Sequence, residues 1–121
     1  MKSGNIIKQK SFDFSIRIVR LYQHLSVQKK EFTLSKQLIR CGTSIGANIY
    51  EALQGSSTKD FINKLNISLK EAHETQYWLN LLFATGYLSK EENISIENDC
   101  IELIKFSLLS SRQVNPKPMI E

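Results

Sequence analysis

The sequence predicts an all-α protein, an antiparallel up-down-up-down four-helix bundle. Four segments place apolar residues at the 3.6-residue helical period, and no stretch keeps the alternation of a strand. The connections are short, which makes helices adjacent in sequence antiparallel neighbours in space.

The first helix is expected at about 11–30, where Phe14, Ile18, Leu21 and Leu25 form one stripe and Phe12, Ile16, Val19 and Tyr22 widen it. The second, at about 34–54, steps by threes and fours through Leu34, Leu38, Cys41, Ile45, Ile49 and Ala52, with Gly55 as a left-handed stop. The third, at about 58–85, opens on Ser57 or Thr58 as N-cap with Asp60 in its first turn. It carries Phe61 or Ile62, Leu65, Leu69, Ala72, Gln76, Leu79 and Phe83 in heptad-like steps up to Gly86. The fourth, at about 90–112, follows Ser89, with Glu92 three residues on as a capping box, and uses Ile94, Cys100, Ile101, Ile104 and Leu108. Both prolines fall in the tail, 113–121, which is expected to fray.

A chain of 121 residues with 41% apolar content can build one core, so one domain is expected over 1–121. It lacks a run of about 18 apolar residues to cross a bilayer, and its start lacks the long apolar segment of a secretory signal, so a cytoplasmic protein without a membrane role is expected. Cys41 and Cys100 have no CxxC spacing and read as small core hydrophobes.

The net charge of +4 is unevenly spread. Residues 1–40 hold nine Lys/Arg against Asp13 and Glu31, and the rest hold seven basic and ten acidic groups. The first part is therefore net +7 and the second net −3. Such asymmetry suits an anionic partner, or the docking of one subunit's basic segment on another's acidic one; plain solvation of exposed helices is the bland reading.

The second helix carries residues that weaken it. Gly42 and Gly46 share a face, each at about 1 kcal/mol relative to alanine, which close approach of another helix would offset. Gln37, Arg40, Ser44, Asn48 and Glu51 form a polar stripe beside the apolar one. If the chain turns back near Gly55, residues whose numbers sum to about 111 lie level. Arg40 then faces Glu71, Gln37 faces Glu74, Asn48 faces Asn63 and Lys64, and Glu51 faces Lys59 and Asp60, give or take a turn. A ladder of this kind fixes register more than it adds stability.

The run Gln37, Arg40, Ser44-Ile45-Gly46-Ala47-Asn48-Ile49 and Glu51, followed by Phe61, Leu65, Ile67 to Ala72, Glu74-Thr75 and Gly86-Tyr87-Leu88, resembles the bacterial four-helix bundle family also called the 23S rRNA-intervening-sequence protein family. The resemblance covers about 12–110. The family's usual Asn-Ile-Ala-Glu-Gly is here Asn48, Ile49, Tyr50, Glu51, Ala52. The resemblance implies a ring-like homo-oligomer, a pentamer, with no catalytic activity. Family members are encoded inside insertions in rRNA genes or as free-standing genes, and a related retroelement accessory protein binds nucleic acid and its reverse transcriptase.

Enzyme readings lack their parts. Lys70 and Leu21 stand three residues before His73 and His24, so the Glu-x-x-His pairs of di-metal bundles are missing, and neither HExxH nor a P-loop occurs. No cofactor or metal is expected. The favoured reading is a non-enzymatic homo-oligomer that presents Lys8, Lys10, Arg17, Arg20, Lys29, Lys30 and Lys36 to RNA or DNA phosphates. Tyr22 and Tyr50 are candidates for stacking on unpaired bases, with core or interface packing as the commoner use of such residues. The alternative is a protein–protein adaptor that binds no nucleic acid.

Overall fold

The computed structural model describes residues 2–114, with side chains over 4–111. The chain forms α1 (Lys2–Gln23), a π-helical segment (His24–Gln28), α2 (Leu34–Leu53), α3 (Thr58–Ala84) and α4 (Lys90–Val114), with no strand among the described residues. Contacts between helices set their directions. Gly42 lies against Ile18 while Gly46 lies against Ser11 and Ser15. Arg40 reaches Glu71 and Glu74 while Glu51 meets Lys64. Gln76 meets Glu97 while Asn80 meets Asn93, and Lys10 meets Glu102 while Arg17 meets Asp99. In each set one number rises as the other falls, so successive helices are antiparallel and α4 closes back on α1, completing a four-helix bundle.

The first helix begins nine residues earlier than its apolar stripe suggests. Ile7 and Ser11 are both buried, so the steps 7, 11, 14, 18 continue the stripe through two turns that look polar in sequence. Its end is widened rather than frayed. Lys29 N–H donates to His24 O at 3.2 Å and Glu31 N–H to Leu25 O at 2.8 Å, which keeps Leu25 fully buried at the last turn. Lys30 then adopts a left-handed φ of 57° and reverses the chain.

Glu31, the residue after that reversal, caps α2. Its carboxylate accepts from the backbone N–H of Thr33 (3.2 Å), Leu34 (2.9 Å) and Ser35 (2.7 Å), while Ser35 Oγ donates to its carbonyl at 2.7 Å. Three of the orphan donors at a helix start are thereby satisfied by one buried carboxylate. α2 ends by tight turns, Gln54 N–H to Glu51 O and Gly55 N–H to Ala52 O, both at 3.1 Å. These need no left-handed residue, and Gly55 is not one, contrary to its expected role; Gly86, with φ 87°, takes that conformation after α3.

The caps of α3 and α4 follow their sequence signals. Ser57 Oγ accepts from Asp60 N–H at 3.1 Å. Ser89 and Glu92 form a reciprocal box, Glu92 N–H to Ser89 Oγ at 3.1 Å and Ser89 N–H to Glu92 Oε1 at 2.8 Å. At the far end, Gln113 and Val114 are still helical, and the rest of the tail expected to fray lies outside the described residues.

The core runs the length of the bundle, but two helices are turned relative to the expected faces. On α3 the buried positions are Leu65, Ser68, Ala72, Thr75, Leu79 and Leu82, whereas Phe83 is exposed. Small hydroxyl residues take these places because their groups are satisfied at close range: Ser68 Oγ donates to Ile45 O at 3.0 Å and Thr75 Oγ1 to Glu71 O at 2.8 Å. On α4, Ile96 and Leu103 are buried and Ile94 is exposed. Cys41 and Cys100 are free and fully buried. Burial pushes both thiols up, Cys100 to about 12, so neither is a nucleophile near neutral pH.

Candidate functional site

The glycines of α2 serve α1. A Cβ on Gly42 would lie 2.8 Å from Ile18 Cγ2, and one on Gly46 would lie 3.0 Å from the Ser11 carbonyl oxygen. The Ile18 side chain takes the place of a Cβ at Gly42 and the α1 backbone takes it at Gly46, which explains two helix-weakening residues on one face. Above the contact the helices part into a groove of about 780 Å³. Gly46, Ala47, Ser11 and Ser15 are among its lining residues, with Phe12 of α1 and Tyr50 of α2 exposed beside them. The Lys8 ammonium lies 4.8 Å over the centre of the Tyr50 ring.

The polar stripe of α2 divides into ends that reach α3 and a middle that does not. Arg40 pairs with Glu74 and lies 3.4 Å from Glu71; Trp78 Nε1 donates to the same Glu74 carboxylate at 3.1 Å. Gln37 accepts from Arg40 Nε at 3.5 Å instead of reaching Glu74 itself. At the other end Lys64 holds Glu51 at 2.6 Å, where Lys59 and Asp60 were expected. Between them, Ser44 Oγ donates to Arg40 O at 3.0 Å and Asn48 Nδ2 to Ser44 O at 2.8 Å. These short side chains find a carbonyl one turn back on their own helix before they find α3. The helices are joined at this level by the buried Ser68 hydroxyl, which sequence reasoning missed because Ser68 sits between Ile67 and Leu69 with no charge to mark it.

The seven basic candidates are not one surface. Lys10 pairs with Glu102 at 2.7 Å, and that hydrogen bond holds its ammonium above the usual range. Arg17 pairs with Asp99 at 2.6 Å and also donates to the Ser95 carbonyl and hydroxyl. Both cations are spent on holding α1 to α4. Lys8 lies at the groove. Arg20, Lys29, Lys30 and Lys36 are exposed and enter no ion pair among the described residues. Lys29 and Lys30 sit where the chain turns from α1 into α2 and Lys36 in the first turn of α2, while Arg20, further back on α1, lines a crevice of about 440 Å³ with Glu91 and Glu92 of α4. Next to them α1 shows solvent an apolar stripe, Phe12, Ile16 and Val19, which Val27 extends on the π-helical turn.

Comparison with known proteins agrees with this architecture. The family model for 23S rRNA-intervening sequence protein matches residues 4–108. Among solved structures, the chain is similar to a protein of unknown function from the S23 ribosomal protein family of Bacteroides thetaiotaomicron. The two are 54% identical, with a TM-score of 0.89 over 93% of this chain and 99% of that one. No match is found among curated proteins.

Proposed function

The chain belongs to the 23S rRNA-intervening sequence protein family, and from that premise we propose that it is a non-enzymatic bundle that self-associates and presents basic residues to RNA or DNA. The observation that carries this reading is the group Arg20, Lys29, Lys30 and Lys36, four exposed cations outside the ion pairs, at one end of the bundle. Side chains of this kind bind phosphates without reading bases, which gives salt-dependent affinity and little sequence choice. One such patch is weak; a ring-like assembly, a pentamer by family likeness, would multiply it through avidity. The apolar stripe Ile16, Val19 and Val27 beside the patch is the surface on which self-association rests.

Retention of labelled RNA and DNA against salt tests the reading. With four phosphate contacts, the log of affinity should fall with the log of salt at a slope of about −3 for single strands. Lys29→Ala and Lys36→Ala should each flatten that slope by about 0.7. Lys30→Gly should do the same while suiting the left-handed backbone at that position. No binding at about 50 mM salt, where phosphate contacts are strongest, would end the nucleic-acid reading. Light scattering supplies the second arm. Ile16→Glu with Val19→Glu should reduce the assembly toward the 13.9 kDa monomer. An assembled protein that binds no nucleic acid at low salt would instead be the adaptor that the apolar stripe alone would serve.

A further inference from the structure

We propose that the groove between α1 and α2 is a stacking site for one unpaired nucleobase of a single-stranded RNA or DNA. This deepens the function proposed above and rests on it. The groove is about 780 Å³, within the range of small-ligand clefts, and exposed aromatic rings come from both of the helices that form it. Phe12 is 60% exposed and Tyr50 is 50% exposed, which leaves ring surface open to a planar guest. The helices touch at Gly46, which forms the floor, and Ala47 puts only a methyl group on the α2 side, so a flat ring can lie over the contact without meeting a large α2 side chain there.

Its electrostatics suit an anionic strand. Lys8 lies over the Tyr50 ring at 4.8 Å, so a base stacked on the exposed part of that ring would have a cation near the phosphate attached to it. The groove's one carboxylate, Glu51, is held by Lys64 at 2.6 Å, so it does not set an unpaired negative charge against the backbone of the strand. Asn5 supplies an amide at the rim, and Gln9, whose NH2 donates to Asp13 at 2.8 Å, offers its carbonyl oxygen to a base edge. An aliphatic side chain from a second copy would use the apolar lining but neither the cation nor the amides. From Lys8 to Arg20 is about 18 Å along α1 at 1.5 Å per residue, a span that a few extended nucleotides cover. A strand held by the basic end can therefore place a base in the groove.

The test compares two labelled strands of about 12 linked phosphates, an oligo(U) and an abasic strand of the same backbone charge. Wild type should bind oligo(U) more tightly. Tyr50→Ala should weaken oligo(U) about tenfold and leave the abasic strand unchanged, and Tyr50→Phe, which keeps the ring, should restore binding. Phe12→Ala should act in the same direction as Tyr50→Ala. Circular dichroism melting confirms that the variants fold. If Tyr50→Ala binds oligo(U) like wild type, or loses both strands equally, the stacking proposal is wrong while phosphate binding stands. If Tyr50→Ala changes the assembly mass by light scattering, the groove is covered by a second copy and the proposal is overturned. Should wild type bind neither strand at about 50 mM salt, the parent reading falls first and takes this one with it.

Discussion

α1 has two seams, and they are built on opposite principles. Against α2 it is held by steric fit: Gly42 and Gly46 leave no space for a Cβ, and Ile18 fills the contact with no exposure. Against α4 it is held by long charged arms, Lys10 to Glu102 and Arg17 to Asp99, over a crevice. Packing forces act over tenths of an ångström and ignore salt, whereas half-exposed ion pairs are soft and screened. The first seam therefore fixes where α1 lies. The second limits how far it can swing, and leaves the outer face of α1 open for a partner.

The largest effect should come from filling the tight seam. Gly42→Val would drive two methyl groups into Ile18, whose Cγ2 and Cγ1 already lie 2.8 and 2.9 Å from a single added Cβ. Overpacking of this degree costs about 3 kcal/mol, a fall of melting temperature on the order of 10 °C. Adding Ile18→Ala should recover part of the loss, because it removes the atoms that clash. A melting curve for Gly42→Val that matches wild type would show that the seam is slack and the comparison mistaken.

The corner that closes the same seam should come next. Glu31→Ala strips α2 of its cap and should cost about 2 kcal/mol at neutral pH. Burial pushes the Glu31 carboxyl up, but the N–H groups of Leu34, Ser35 and Thr33 outweigh it, and the net value lies below the ordinary 4.5. A carboxyl lowered by folding gives stability that is present above its unfolded value and lost as pH falls through the folded one. The gap between wild type and Glu31→Ala in thermal melts should thus be widest near neutrality and narrow below about pH 4.5. A gap independent of pH would mean that the methylene packing of Glu31, not its charge, holds the corner.

How much of this was legible in the sequence depends on what kind of force is involved. Periodicity gave four helices with the last three starting at the expected residues, and cap chemistry marked Ser57, Ser89 and Glu92, because these signals are local. The hairpin arithmetic set Arg40 level with Glu71, and they lie 3.4 Å apart; at Glu51 the partner is Lys64, within the one turn allowed, whereas Gln37 and Asn48 bond within α2 instead of meeting Glu74, Asn63 or Lys64. The start of α1 was hidden because Lys8, Gln9 and Lys10 mask single buried residues at Ile7 and Ser11. The Glu31 cap was hidden because a π-helical turn and a left-handed lysine precede it, and neither has a sequence signature. Phe12 looked like part of a wide apolar face; its exposure depends on how far α1 rolls against α2, which only packing decides.

The ion pairs of α2 and α3 sharpen the contrast from a third side. Arg40 is half-exposed, yet it faces Glu71 and Glu74, which lie one helical turn apart on α3 and are more buried than it is. Arg40→Ala would leave two carboxylates without their shared cation and should cost about 1 kcal/mol, more than an isolated surface pair. Arg40→Ala with Glu74→Gln should lose less than the sum of the two, since the amide oxygen put at position 74 can still accept from Trp78 Nε1 and no longer repels Glu71.

The smallest effect belongs to the open seam. Arg17 reaches Asp99 with both side chains 40% or more exposed, so its attraction is screened and offset by the ordering of two side chains. Arg17→Ala should cost less than about 1 kcal/mol in low salt and almost nothing at about 1 M, where the Debye length falls to about 3 Å. Gly42→Val should lose the same amount in both buffers, because no charge is involved. Urea melts of the two variants at two salt concentrations make the comparison direct. If Arg17→Ala proved as damaging as Gly42→Val, and equally so in high salt, α1 would be clamped to α4 by packing around the Arg17 stem. The outer face of α1 would then be a fixed wall of the bundle, and any partner binding there would have to accept it as it stands.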